Sequence, residues 1–124
     1  MSNPTRMYFF TMYNLSGIQK GIQSGHAALE YVLKYGRDDR TLFEFVSEHK
    51  TFIVLNGGTS GDMLEREKEL EELDIKFASF VEPDLNGAVS AIAFIVKEDD
   101  YDDEDQYKVN PIKQYLLKFN LASN

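Results

Sequence analysis

The chain contains no cysteine. That excludes a disulfide framework, a cysteine-ligated zinc site and a thiol nucleophile, and it fits a reducing compartment. Histidine is nearly as scarce, with His26 and His49 far apart and no H-x-x-x-H pair, so little in the sequence points to a metal centre. The same scarcity leaves few ordinary bases, and no G-x-S-x-G turn offers a serine nucleophile. No apolar run approaches the roughly 18 residues that a membrane helix requires, and residues 1–6 lack the long apolar core of a signal peptide. A protein that stays in the compartment where it is made, with no membrane partner, is the expectation. Basic residues are also outnumbered, and the formal net charge is −8. Long nucleic acid, which is held by clustered Lys and Arg, is therefore disfavoured as a partner, although a small nucleotide needs only a few local donors. The deficit is uneven: Glu98–Asp105 holds seven of the acids, so removing its −7 from −8 leaves a body of charge −1. Residues 98–106 read as a solvated acidic loop, since a calcium loop would need a glycine and spaced ligands that this block lacks.

What is present is the composition of a folded globule, 43% hydrophobic with nine Phe and seven Tyr. At 124 residues the chain makes one domain, 1–124, without internal repeat or linker. Met7–Met12 is a continuous apolar run, the pattern of a central strand buried on both faces. Ser16 and Gln19 have capping-box spacing and open a helix from Gly17 to about Tyr35, ended by Gly36. Its apolar stripe of Ile18, Ile22, Leu29 and Val32/Leu33 is expected to face inward, with His26 on it as a packed helix-contact group. Thr41 with Glu44 marks a short second helix that buries Leu42, Phe45 and Val46. Thr51–Leu55 is a second strand, and Asp62 with Glu65 opens an acidic helix to Leu73. Lys76–Val81 and Val89–Val96 are two further strands, and Asn110-Pro111 starts a last helix with Ile112, Tyr115, Leu116 and Phe119 inward. The order β-α-α-β-α-β-β-α predicts an α/β domain around a four-stranded mixed sheet flanked by helices.

In such a sheet, loops outside the carboxyl ends of parallel strands gather ligands, so the turns after the first and second strands are expected to be neighbours. Asn56-Gly57-Gly58-Thr59 offers glycine-permitted N–H groups and two polar side chains before a helix start, which suits a phosphate, though a plain glycine turn reads equally well. It has neither the spacing nor the lysine of a P-loop. Glu82–Gly87 is longer than a hairpin at Asn86-Gly87 requires. Asn86 can offer amide donors and a carbonyl to a base or ribose, and Asp84 can accept from hydroxyls. Gly21, Gly25 and Ala28 give the first long helix a small-residue surface that a second backbone could approach.

Two resemblances follow from particular segments. Gln23-Ser24-Gly25-His26-Ala27-Ala28 resembles the Q-x-x-H-A helix of the archaeal-eukaryotic family of peptidyl-tRNA hydrolases, and the order of elements over 7–96 is similar. Lys20 is out of register with that family's lysine-rich lead-in, and Glu82–Gly87 replaces its aspartate-glycine-threonine loop, so the catalytic positions are where the likeness fails. A closer likeness joins MYNLSGIQKGIQSGHAALEY, TFIVLNGGTS and EPDLN ahead of an apolar strand. These segments resemble the Thoeris anti-defence proteins of phages, homo-oligomeric sponges that sequester cyclic ADP-ribose isomers without degrading them. That resemblance implies a non-enzymatic, cofactor-free binding protein of the bacterial host cytoplasm, a dimer or higher homo-oligomer. It implies ligand contacts from Asn86, from an aromatic of the preceding strand (Phe77 or Phe80), and from a basic residue of the last helix, Lys113 or Lys118. A peptidyl-tRNA hydrolase-like enzyme is the alternative expectation, and a protein-interaction module using the first helix is a third.

Overall fold

A computed structural model describes residues 5–37, 39–97 and 111–123. The acidic stretch 98–106 and Asn110 lie outside the described residues. In chain order the elements are β1 (Arg6–Met12), α1 (Gly17–Tyr35), α2 (Arg40–Glu44), β2 (Thr51–Gly58), α3 (Ser60–Glu72), β3 (Phe77–Glu82), β4 (Ala88–Val96) and α4 (Pro111–Leu116). The strands form one mixed sheet in the order β2-β1-β4-β3. β1 runs parallel to β2 and antiparallel to β4, which in turn is antiparallel to β3. The four-stranded mixed α/β sheet read from the sequence is thus the observed one. Its central strands are the two with near-continuous apolar runs, because both of their faces are covered.

Helices cover the two faces through separate apolar clusters. Ala27, Tyr31, Leu42 and Phe45 of the α1–α2 side pack with Met7, Phe9, Ala78, Ala91 and Ala93. Met63, Leu70 and Tyr115 of the α3–α4 side pack with Tyr8, Phe10, Ile92 and Phe94. The outer edge of β2 is covered in part by the C-terminal segment, where the Asn56 N–H donates to the Asn120 carbonyl and the Ala122 N–H to the Val54 carbonyl, each at 2.9 Å. Edge groups paired in this way are withheld from other chains.

The expected inward stripe of α1 points outward. Ile18, Ile22, Leu29, Val32 and Leu33 are all exposed, Leu33 by 81%, while the buried residues are Lys20, Gln23, Ser24, Ala27 and Tyr31. The sheet under this helix presents the small side chains Ala78, Ala91 and Ala93, so the helix lies close, with Ala27 packed against them and Tyr31 beside them. Its ends are as read: Ser16 and Gln19 form a reciprocal capping box, and Gly36 follows the last helical residue, its N–H donating to the Val32 carbonyl, against which a Cβ at that position would collide. For α2 the N-cap is Asp39, which accepts from the Leu42 N–H at 3.0 Å, and not Thr41. A wide turn at Phe45–His49 follows, which buries Phe45 but leaves Val46 exposed. Parallel pairing carries β2 past Leu55 to Gly58, so Asn56, Gly57 and Gly58 end a strand and do not form a loop. The N-cap of α3 is accordingly Thr59.

Candidate site at the carboxyl end of the sheet

Because β3 and β1 are both antiparallel to β4, the carboxyl ends of β1, β2 and β3 share one end of the sheet. The turns after β1 and β2 are neighbours as expected, joined by the Tyr13 N–H donating to the Gly58 carbonyl at 2.9 Å. The helix starts of α1 and α3 and the 82–87 loop lie at the same end.

The β2–α3 corner satisfies its own polar groups. The Asn56 side-chain oxygen accepts from the Gly58 N–H at 3.0 Å. Thr59 and Asp62 form a reciprocal capping box, the Thr59 N–H donating to the Asp62 carboxylate at 3.0 Å and the Asp62 N–H to the Thr59 hydroxyl at 3.2 Å. Hydrogen bonds from Thr59, the backbone one first, hold the Asp62 carboxyl below its ordinary range. A carboxylate therefore already occupies the helix start where a phosphate would seat. Gly58, at φ 97°, supplies the backbone reversal that a side chain would resist, and Gly57 is buried against Met63.

The 82–87 loop is organised differently. Pro83–Leu85 forms one tight helical turn, capped by the Glu82 side chain, whose Oε1 accepts from the Asp84 N–H at 3.2 Å. Asn86 and Gly87 both take left-handed backbone angles, φ 56° and 73°, and the Gly87 N–H closes the loop on the Glu82 carbonyl at 3.2 Å. Asparagine and glycine are the residues that tolerate that region. The side chains of Asp84 and Asn86 are exposed, and among the described residues neither has a hydrogen-bond partner.

Compared with the known protein families, the chain matches no family model, and it matches none of the curated proteins.

Beneath the loop, Gln23 of α1 donates to Glu82 Oε2 at 2.9 Å and accepts from the Ser90 hydroxyl at 2.8 Å. His26 is half-buried on the flank of α1, its ring 4.5 Å from that of Phe80, with Nδ1 buried and unpartnered. The Ser24 hydroxyl is also buried without a partner. The Lys20 ammonium donates to the Ser123 carbonyl, tying the helix to the C-terminal segment.

Two expected contacts lie elsewhere in the chain. Phe77 begins β3 opposite Phe94, at the other end of the sheet, and packs towards α3–α4, whereas Phe80 shares the α1 face with Glu82. Lys113 follows Ile112, which lines a cavity of about 320 Å³ at that other end with Tyr31, Asp39, Thr41, Lys76 and Val96. The two ends are separated by the length of β4, about 27 Å at roughly 3.4 Å per residue. Sequence reading overlooked Glu82 and Ser90 as supports of the loop. The signal available for them was the polar spacing Lys20, Gln23, Ser24, which falls on one face of α1. Among the described residues no group of three His, Asp or Glu side chains gathers as a metal ion would need, and no helix is long and apolar enough to cross a membrane.

Proposed function

We propose that this chain is a phage anti-defence protein that binds and sequesters a cyclic ADP-ribose-type nucleotide, working as a homo-oligomer in the bacterial cytoplasm and releasing its ligand unchanged. The observation that carries the reading is the 82–87 loop: its backbone is fixed by Glu82 and by two left-handed residues, while Asp84 and Asn86 present unpartnered polar groups to solvent. A donor and acceptor amide beside a carboxylate, both held on a constrained turn, suits the hydroxyls and base edge of a nucleotide with little ordering cost on binding. Phe80, near the loop on the α1 face, is the aromatic of choice for stacking. Lys113 meets a ligand on Asn86 only if a second copy supplies it, given the length of β4 between them. The apolar outer face of α1, with Ile18, Ile22, Leu29 and Leu33 exposed, supports assembly of copies.

The test is to incubate the protein with cyclic ADP-ribose isomers, remove free nucleotide, denature by heat and analyse what is released. Intact isomer in near-stoichiometric amount supports sequestration. Release of a linear or hydrolysed product would instead favour the hydrolase-like reading, and an empty protein would favour the interaction module.

A further inference from the structure

We infer that Gln23 is the positioning residue of the 82–87 loop, acting through Glu82; the inference rests on reading that loop as the ligand-binding element. Gln23 projects from the buried face of α1 and uses both ends of its amide. Ser90, wholly buried on β4, has a single hydroxyl proton, and the shorter contact takes it: 2.8 Å to Gln23 Oε1 against 3.4 Å to the Phe80 carbonyl. This fixes the sense of the amide. Turned over, the amide would set its oxygen against the Glu82 carboxylate, two acceptors facing each other at hydrogen-bond distance. With the amide held, Nε2 steadies one oxygen of Glu82 and leaves the other to cap the Asp84 N–H. The chain of contacts therefore runs from a buried hydroxyl through an amide and a carboxylate to a backbone N–H of the loop. Its last link ends on the element that carries Asp84 and Asn86. Contacts to an ionised group in a half-buried setting are stronger than neutral ones, so the loop inherits the rigidity of the sheet and helix.

The experiment uses two variants of the full chain, read by amide hydrogen exchange at Asp84 in the ligand-free protein and by calorimetry with cyclic ADP-ribose isomers. Gln23→Glu opposes two carboxylates. Gln23→Glu combined with Glu82→Gln reverses donor and acceptor and satisfies every link again, since the carboxylate at position 23 accepts from both Ser90 and the amide at position 82. We expect Gln23→Glu to speed exchange at Asp84 and weaken capture, each by at least about tenfold, and the double variant to restore both to within about threefold of wild type. Unchanged exchange in Gln23→Glu, or a folded double variant in which exchange stays fast, would overturn the inference. Exchange rescued without affinity would overturn the role of loop shape in capture. If the wild type binds none of the isomers, the proposed function falls, while exchange at Asp84 still decides whether Gln23 holds the loop.

Discussion

At the scale of single residues, polar atoms at the carboxyl end divide by whether they already have partners. Asn56, Thr59 and Asp62 spend theirs within the β2–α3 corner, whereas the side chains of Asp84 and Asn86 are uncommitted. Asn86→Gly removes the amide while keeping the left-handed backbone, which alanine would strain by about 1 kcal/mol. We expect that variant to bind nucleotide at least about tenfold more weakly, with an unfolding midpoint close to wild type, as calorimetry and thermal melts would show. Asp62 makes the complementary prediction. Its carboxyl is held below its ordinary value by the Thr59 hydrogen bonds, so the folded state favours the ionised form. The stability this adds is fully present above the ordinary carboxylate range and is lost as pH falls through the lowered value. Asp62→Asn should therefore lower the urea midpoint near neutrality, and the gap to wild type should close as pH falls through that lowered value.

At the scale of elements, α1 is set by what lies beneath it. Ala27 is fully buried in the cluster with Ala78, Ala91 and Ala93, so Ala27→Leu should overpack the contact and cost about 1–3 kcal/mol in chemical unfolding. On the opposite sheet face, α4 is tied to α3 by the Tyr115 hydroxyl donating to Glu69 at 2.8 Å. Burial first, and then this bond, push the Tyr115 phenol up, so it stays neutral. Tyr115→Phe should cost about 1 kcal/mol, seen as a lower urea midpoint. Strand identities and the cap of α1 were legible because they depend on local chemistry: the apolar run Met7–Met12, the Ser16–Gln19 spacing, Asn86-Gly87. The inner face of α1 was not, because hydrophobic periodicity assumes that the larger apolar side chains go inside. Here the buried face is Lys20, Gln23, Ser24, Ala27 and Tyr31, whose fit depends on alanines about 50 to 70 residues away in sequence. The end of β2 was misjudged for a similar reason, since parallel pairing with β1, a non-local contact, holds Asn56–Gly58 extended. Of the candidate site, Asp84 and Asn86 were readable from loop chemistry; the sheet face that Phe77 takes and the place of Lys113 depended on how α4 packs on the sheet.

At the scale of the whole molecule, the outward face of α1 is the feature that a lone copy does not explain. Ile18, Ile22, Leu29, Val32 and Leu33 lie along it, and Gly21 and Gly25 sit among them with open space where a Cβ would stand. This helix turns aliphatic side chains to solvent, and its buried face is held by the packing of Ala27 and Tyr31 and by the hydrogen bonds of Lys20 and Gln23. The outer face gains nothing until another surface covers it. Two such faces brought together would bury apolar area from both copies, and the glycines would let the backbones approach. The same open space makes Gly25→Glu a clean probe: the side chain clashes with nothing within one copy, and replacing glycine in a helix interior favours the helix by roughly 0.5–1 kcal/mol. The variant should fold, with a circular dichroism spectrum like that of the wild type. Sedimentation at micromolar concentration should report a dimer or larger assembly for wild type and a monomer for Gly25→Glu. If Lys113 of one copy completes the site on another, the monomeric variant should also lose at least about tenfold in nucleotide affinity, and Lys113→Ala should weaken capture without dispersing the assembly. A wild type that sediments as a monomer and still captures nucleotide would show that each copy binds alone and that the α1 face serves something else.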